Sequence, residues 1–420
     1  EPSTSPTLAR QLQALRALYP EINFYSFSPL REARSSTPLP LFHLAQADLI
    51  LAIESDFLND QPASLRYARE FAQGRRIAQA GSPRMKRLIA AESAFTLTGA
   101  AADERQPLSP PELLDALREI DAPGSTRAAS SRAKAFARRA SAELERHAGR
   151  CLVAVGPHQP AEAHRLGHAI NQRLGNVGST LDYLPDPMIA RDDAGDLGAL
   201  VSDAQDGVLD ALLVLSGDPL YTAPADLELP VAFSRIRWTA ALSQQETATT
   251  RASRWALPAS HFLETWSDLR ACDGLASVQQ PLIEPLYASR SAHQLLDLLL
   301  GLPNANARTP VVETWRSQLG QEGFTLRWES ALRDGFISDT ESTPVQPASL
   351  AFSAAPASDA YPQQSTSYWA LFRPDSRVRD GRWFGNAWLQ ELPKDLSLLV
   401  WDNAAYLAPS TAEKLSLENG

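Results

Sequence analysis

A two-lobed α/β protein is predicted by three features of this 420-residue chain. Two apolar runs of strand length, ADLILAIES at 47–55 and DALLVLS at 210–216, fit strands buried on both faces of a parallel sheet. Helical spacing of apolar residues flanks such runs, as strand–helix–strand crossovers require. A small, polar stretch at 121–130 (DAPGSTRAAS) separates a first alternating set from a second. The expected organisation is a first α/β lobe at 1–126 and a second at 127–300. An irregular connection follows at 301–385, and a truncated β-rich C-terminal domain begins at 386–420.

The elements follow in order. Residues 7–18 read as a helix, because Leu8, Leu12, Leu15 and Leu18 recur at helical spacing and Pro20 stops the run. A short strand is expected at 22–27, the buried strand at 47–55, a helix at 63–73 ended by Gly74, and a strand at 76–80. Pro110 and Pro111 open a helix at the position where the first turn tolerates proline. A long Ala/Arg/Glu helix is expected over 127–150. A second α/β unit then starts with a strand at 151–156, helices at 161–174 and 197–204, and the buried strand at 210–216. Residues 341–366, rich in Pro, Ser and Ala, read as an exposed loop. Residues 383–406 read as β-rich (LSLLVWDN), and 407–417 as a turn with a short helix. No internal repeat is apparent.

Composition narrows the function. A net charge of -10 and a pI near 5.3 argue against nucleic-acid binding, which leaves a basic footprint. No run approaches the ~20 apolar residues of a membrane span; the longest candidate is 295–302. Cys151 and Cys272 are the two cysteines, and an iron–sulfur cluster needs four thiolates. This segment is therefore expected to hold no cluster by itself. Glu1 in place of a Met, and a stop at Gly420 just after a strand-like pattern, read as an internal piece of a larger protein.

Several motifs invite chemistry, and each has a plainer explanation. The turn from Ser216 through Gly217, Asp218, Pro219 and Leu220 to Tyr221 follows a buried strand, where open α/β sheets place ligands. A nucleotide-like or pterin-like contact would fit there, but an ordinary strand-to-loop turn is the better explanation. The glycine-rich run from Gly175 to Thr180 follows a helix and reads as its C-terminal cap. His164 and His168 stand one helical turn apart, with His158 just before them, but HRLGH lacks the Glu of a metalloprotease helix. The basic residues Arg132, Lys134, Arg138, Arg139, Arg146 and Arg150 alternate with Glu143 and Glu145, as on a solvated helix. Glu264 and Asp268, four apart, could serve as an acid/base pair or as a helix cap. Neither GxGxxG nor GxxxxGK[ST] occurs. No catalytic, cofactor-binding or metal-ligating residue is assigned.

One stretch carries a family likeness. Residues 246–293 (ETATTRASRWALPASHFLETWSDLRACDGLASVQQPLIEPLYASRSAH) resemble the molybdopterin oxidoreductase superfamily, with its Thr-rich turn, LP strand end and LE helix start. More narrowly, LPASHFLETWSDLRACDG followed by QPLIEPLYASRSAHQLL resembles the B subunit of Alternative Complex III, a respiratory quinol oxidoreductase. Residues 47–76, 91–105, 216–227 (SGDPLYTAPADL) and 386–403 (NAWLQELPKDLSLLVWDN) fit the same subunit in order.

That resemblance implies two Rossmann-like lobes that keep the superfamily fold without molybdenum or pterin. It implies iron–sulfur clusters in a further half beyond Gly420. It also implies cytochrome c and quinol-binding membrane subunits as partners, at the periplasmic face of the bacterial inner membrane. In cofactor-bearing relatives a Cys, Ser or selenocysteine ligates the metal after the first strand–helix unit. Here that region is FYSFSP, where Ser26 or Ser28 could stand in. The family's Gly-x-Asn-Pro turn is replaced by Ser-Gly-Asp218-Pro219, and a carboxylate there would repel a pyrophosphate. The alternatives are the catalytic subunit of a molybdenum-bis-pterin enzyme, such as a polysulfide or thiosulfate reductase, and a plain two-lobed binding protein.

Overall fold

The computed structural model describes residues 3–30, 38–76, 85–124, 129–188, 195–302, 306–345 and 368–418. The chain divides into two compact units, Glu1–Leu371 and Phe372–Gly420. The first unit is mixed α/β, with two parallel sheets, a small antiparallel sheet and a two-stranded antiparallel pair.

The first parallel sheet contains β2 (Leu49–Ile53), β3 (Arg87–Glu92), β4 (Glu104–Pro107) and β5 (Cys151–Val155), in the order β4-β3-β2-β5. All five residues of β2 are buried, which explains why its sequence shows no polar alternation. On one face Leu49, Leu51, Ile53 and Ile89 meet α4 (Pro110–Asp121), α5 (Ser131–Arg146) and α6 (Ala161–Arg173). On the other, Ile50, Ala52, Leu88 and Leu152 pack with Phe57 and with Tyr67 and Phe71 of α2 (Ser64–Gly74). The antiparallel pair of β1 (Leu39–Phe42) and β6 (Leu181–Leu184) completes that side. Ser109 and Glu112 close a capping box at the start of α4, and the Ser130 side chain caps α5.

The second parallel sheet, β7 (Ala211–Val214), β8 (Trp238–Ser243) and β9 (Trp255–Pro258), is ordered β7-β8-β9. It packs on α7 (Leu197–Gln205) and α9 (Leu229–Ser234) through Leu200, Val201, Leu229, Ala232 and Ile236. Burial is thinner here: Trp238 and Trp255 are 41% and 57% exposed. The third layer holds β10 (Ser267–Arg270), β11 (Ala276–Gln279) and β12 (Phe336–Ile337) as an antiparallel sheet. Beneath it lie α12 (Arg308–Leu319) and α13 (Phe324–Asp334), with Trp315, Phe324 and Trp328 in the core.

Several sequence expectations change. Residues 151–155 do not open a second unit; β5 pairs in parallel with β2, because its apolar residues complete the first sheet. Residues 22–27 form no strand but one parallel bridge, Tyr25 to Gly195, and Tyr25 and Phe27 pack on the core under the second sheet. The helix expected over 127–150 is shorter, because Ser130 caps it and His147 ends it. The connection at 301–385 is not irregular over 308–337, where α12, α13 and β12 have their own core. The strand expected at 76–80 lies at 77–80 outside the described residues, as does 125–128 of the expected linker and most of the 341–366 loop.

The N-terminal α1 (Pro6–Leu18) packs on β10, α12 and α11 (Ala292–Leu299) instead of the first sheet. The buried Asp268 carboxylate accepts hydrogen bonds from Ser5 Oγ (2.5 Å), Thr7 Oγ1 (2.5 Å) and Trp315 Nε1 (2.9 Å). Gln11 Nε2 donates to Asp297 Oδ1 at 2.6 Å, and Gln11 Oε1 lies 2.7 Å from His293 Nδ1. Buried polar groups need such partners, so this pairing places the helix.

In the second unit, α14 (Ala387–Glu391) and α15 (Pro409–Lys414) are joined by turns. Arg377 donates to the Pro393 carbonyl and Asp395, and Lys394 pairs with Asp375 at 2.8 Å. The β-rich character expected at 383–406 is not realised. Leu398 and Trp401 are 72% and 58% exposed and have positive φ, and a strand needs a partner that the described residues do not supply.

Candidate functional site

Open α/β sheets hold ligands outside the carboxyl ends of their strands. Both parallel sheets end here in the same hydrogen-bonded bracket. After β2, Asp56 Oδ1 accepts from the Thr98 N–H (2.9 Å) and the Thr98 hydroxyl (2.7 Å). The Thr98 oxygen in turn accepts from the Leu58 N–H at 3.2 Å. After β7, Asp218 Oδ1 accepts from the Thr249 N–H (2.8 Å) and hydroxyl (2.5 Å). Thr249 Oγ1 accepts from the Leu220 N–H at 3.1 Å, and Asp218 Oδ2 accepts from the Ala248 N–H at 3.1 Å. Gly217, at φ 82°, makes the turn that aims Asp218, just before the short helix α8 (Pro219–Thr222).

The brackets belong to a duplicated unit. Strands β3 and β8 have six residues each, and short helices α3 (Leu97–Ala101) and α10 (Ala248–Ala252) have five. Strands β4 and β9 have four, ending at Pro107 and Pro258. Thr96 and Thr247 cap the two helices with φ/ψ of -127°/169° and -128°/172°. Each capping oxygen accepts from the third helical N–H, of Gly99 and of Thr250. No repeat is apparent in the amino-acid sequence alone. The copies share Asp-x-Leu, Thr-x-Thr and a closing Pro, a signal too sparse to see without the strand registers.

The copies differ at one packed pair. In the first, Glu92 is 3% exposed and accepts from Thr96 Oγ1 (2.6 Å) and Arg105 Nε (2.5 Å). A Cβ on Gly99 would stand 2.0 Å from its carboxylate, so a larger residue there would displace the Glu92 side chain. In the second copy the matching residues are Ser243 and Thr250, a smaller residue in place of Glu92 and a larger one in place of Gly99. Glu54 adds a further carboxylate to the first end, accepting from the Ser93 N–H (2.7 Å) and hydroxyl (2.8 Å).

The other candidates do not converge. Glu264 lies in the 3-10 turn Phe262–Glu264 and caps it; the Leu286 and His261 N–H groups hold its carboxyl below the usual range. Asp268 is a buried strand residue, so the two acids are not a helical pair. His164 and His168 do share α6; burial lowers the pKa of both, and His168 meets Tyr183 edge-on at 5.0 Å. Asn176, in the glycine-rich turn, donates to Asn171 at 2.9 Å and lies 3.4 Å from Cys151 Sγ. Burial raises the pKa of both cysteines. Among the described residues, no group of three or more His, Cys, Asp or Glu could hold a metal ion. Likewise, no described helix is long and apolar enough to cross a membrane. Ser26 is tied through its N–H to the Gly195 carbonyl at 3.0 Å, and Ser28 lies on the same segment.

Neither a protein-family model nor a curated protein matches the chain. Among solved structures it is similar to acetylene hydratase from Pelobacter acetylenicus, with a TM-score of 0.50 and 11% sequence identity. The match covers 80% of this chain and 55% of that one, so the chain spans about half the length of that structure. At this identity the likeness is one of fold.

Proposed function

We propose that this chain is a molybdopterin-oxidoreductase-like segment that serves as a cofactor-less scaffold within a respiratory quinol-oxidising complex of the Alternative Complex III type. Two things support the reading: the ordered family-like segments, and a fold like that of a molybdopterin-type enzyme. The observation that carries the cofactor-less part is Asp218. A pterin dinucleotide brings a pyrophosphate, whose natural partners at a sheet end are main-chain N–H groups. Here the Ala248 and Thr249 N–H groups already donate to the Asp218 carboxylate. A second anion would meet like charge, with these two donors already engaged, so these residues do not fit the group.

On this reading the segment packs against an iron–sulfur half of the same subunit and against cytochrome c and quinol-binding membrane subunits. Its place is the periplasmic face of the inner membrane. The test is metal analysis with oxidised-pterin fluorescence on the full-length protein. Iron without molybdenum, tungsten or pterin supports the scaffold. Stoichiometric molybdenum or tungsten with pterin sinks it and makes a catalytic polysulfide- or thiosulfate-reductase type of subunit the better reading.

A further inference from the structure

We infer that Asp56 and Asp218 are equivalent resident anions, each closing the ligand end of one copy of a duplicated sheet unit, so that neither half accepts a pyrophosphate-bearing ligand. This deepens the cofactor-less reading and rests on it. Asp218 alone could be an isolated substitution in one turn. The same bracket in the first copy changes that: Asp56 reaches Thr98 N and Oγ1 at 2.9 and 2.7 Å, and Asp218 reaches Thr249 N and Oγ1 at 2.8 and 2.5 Å. Both threonines are buried, at 1% and 0% exposure, so their N–H groups have no water to turn to. Each aspartate is half-buried and spans from the loop after one strand to the helix after the next.

The first end is the more tightly closed. Glu92 fills the space beside Gly99 and is held by Arg105, and Glu54 is held by Ser93. A Cβ on Gly156 would stand 1.9 Å from the Glu54 carbonyl, so the backbone leaves no gap between the ends of β2 and β5. Three carboxylates, Glu54, Asp56 and Glu92, therefore crowd the first end, each with its donors inside the protein. At the second end the pair is Ser243 and Thr250, and Ser216 and Gly217 are exposed. There the closure depends on Asp218.

The experiment is thermal unfolding of the full-length protein, with and without millimolar inorganic pyrophosphate. Wild type is expected to ignore pyrophosphate. Asp56→Ala and Asp218→Ala are each expected to unfold several degrees lower, because a buried N–H loses its acceptor, and to add in the double variant. Where an alanine variant does not accumulate, Asp56→Asn and Asp218→Asn keep an acceptor oxygen and lose the charge; a smaller drop is expected. A pyrophosphate-dependent rise in wild-type protein free of molybdenum and pterin overturns the closure and leaves the scaffold reading standing. Unfolding of either alanine or either asparagine variant at the wild-type temperature overturns it as well. Molybdenum and pterin in the purified protein overturn the scaffold reading itself.

Discussion

In the first copy of the duplicated unit every residue of β2 is buried, whereas in the second Ala211 of β7 is exposed and its other three residues are half-buried. The hydrogen bonds at the two strand ends nevertheless agree to within a few tenths of an ångström. The difference teaches that the bracket does not depend on a deep core. It is set at the strand ends, where a capped five-residue helix meets a turn that delivers a carboxylate to it from the neighbouring strand. Burial, by contrast, comes from what the rest of the chain lays over each sheet. The first copy has helices on both faces, and the second rests on α7 and α9.

The largest expected effect would break this comparison at the core. Leu51 and Leu213 occupy matching positions in β2 and β7, yet Leu51 is 0% exposed and Leu213 is half-buried. Leu51→Ala is expected to cost about 2–5 kcal/mol and Leu213→Ala less than half of that. Denaturant titration of both reads the difference; equal losses would mean that the second sheet is covered in the full protein.

A smaller effect sharpens the exchange of Glu92 with Gly99 for Ser243 with Thr250. Gly99→Thr forces a side chain into the Glu92 carboxylate and is expected to cost about 1–3 kcal/mol. Adding Glu92→Ser, which rebuilds the pair of the second copy, should recover part of it in a double-mutant cycle, with a coupling of about 0.5–3 kcal/mol. Strict additivity would show that the two positions do not share the space.

The third concerns pH and belongs to the first copy alone. Glu112 is drawn from its ordinary 4.5 to about 2: burial pushes upward, but Arg132, the Ser109 N–H and the Ser130 hydroxyl outweigh it. A depressed carboxyl stabilises the fold fully above its unfolded value, and that contribution is lost as pH falls from about 4.5 toward 2. Unfolding temperatures of wild type and Glu112→Gln should therefore converge across that window. Curves that stay parallel would remove Glu112 from the acid sensitivity. The smallest effect is expected at Arg251→Ala, whose pair with Glu246 is mostly exposed; a loss below about 0.5 kcal/mol is read by the same titration.

Much of the secondary structure was legible. The buried strand β2 appeared as an uninterrupted apolar run, and Pro110 and Pro111 marked the start of α4. The helices α12 and α13 were missed because few apolar residues mark their buried faces, chiefly Val311 and Trp315 in the first and Phe324 and Trp328 in the second. The strand-like apolar residues near Leu398 misled for the opposite reason: hydrophobicity without a pairing partner makes no strand. Of the candidate site, the Asp218 turn was visible, but Asp56 was not, since an aspartate after a strand is common and its partner lies 42 positions away.

The sequence by itself determined short-range features: the apolar runs of β2, β5 and β7 as strands, and the proline-led start of α4. Each depends on residues a few positions apart, where backbone sterics and local hydrogen bonds decide. Tertiary structure decided that β5 joins β2, that α1 packs on β10 and α12, and that two aspartates, 42 and 31 positions from their threonines, close matching sheet ends. Those choices follow from burying apolar faces together and from pairing buried polar groups across distant elements, which no local window contains.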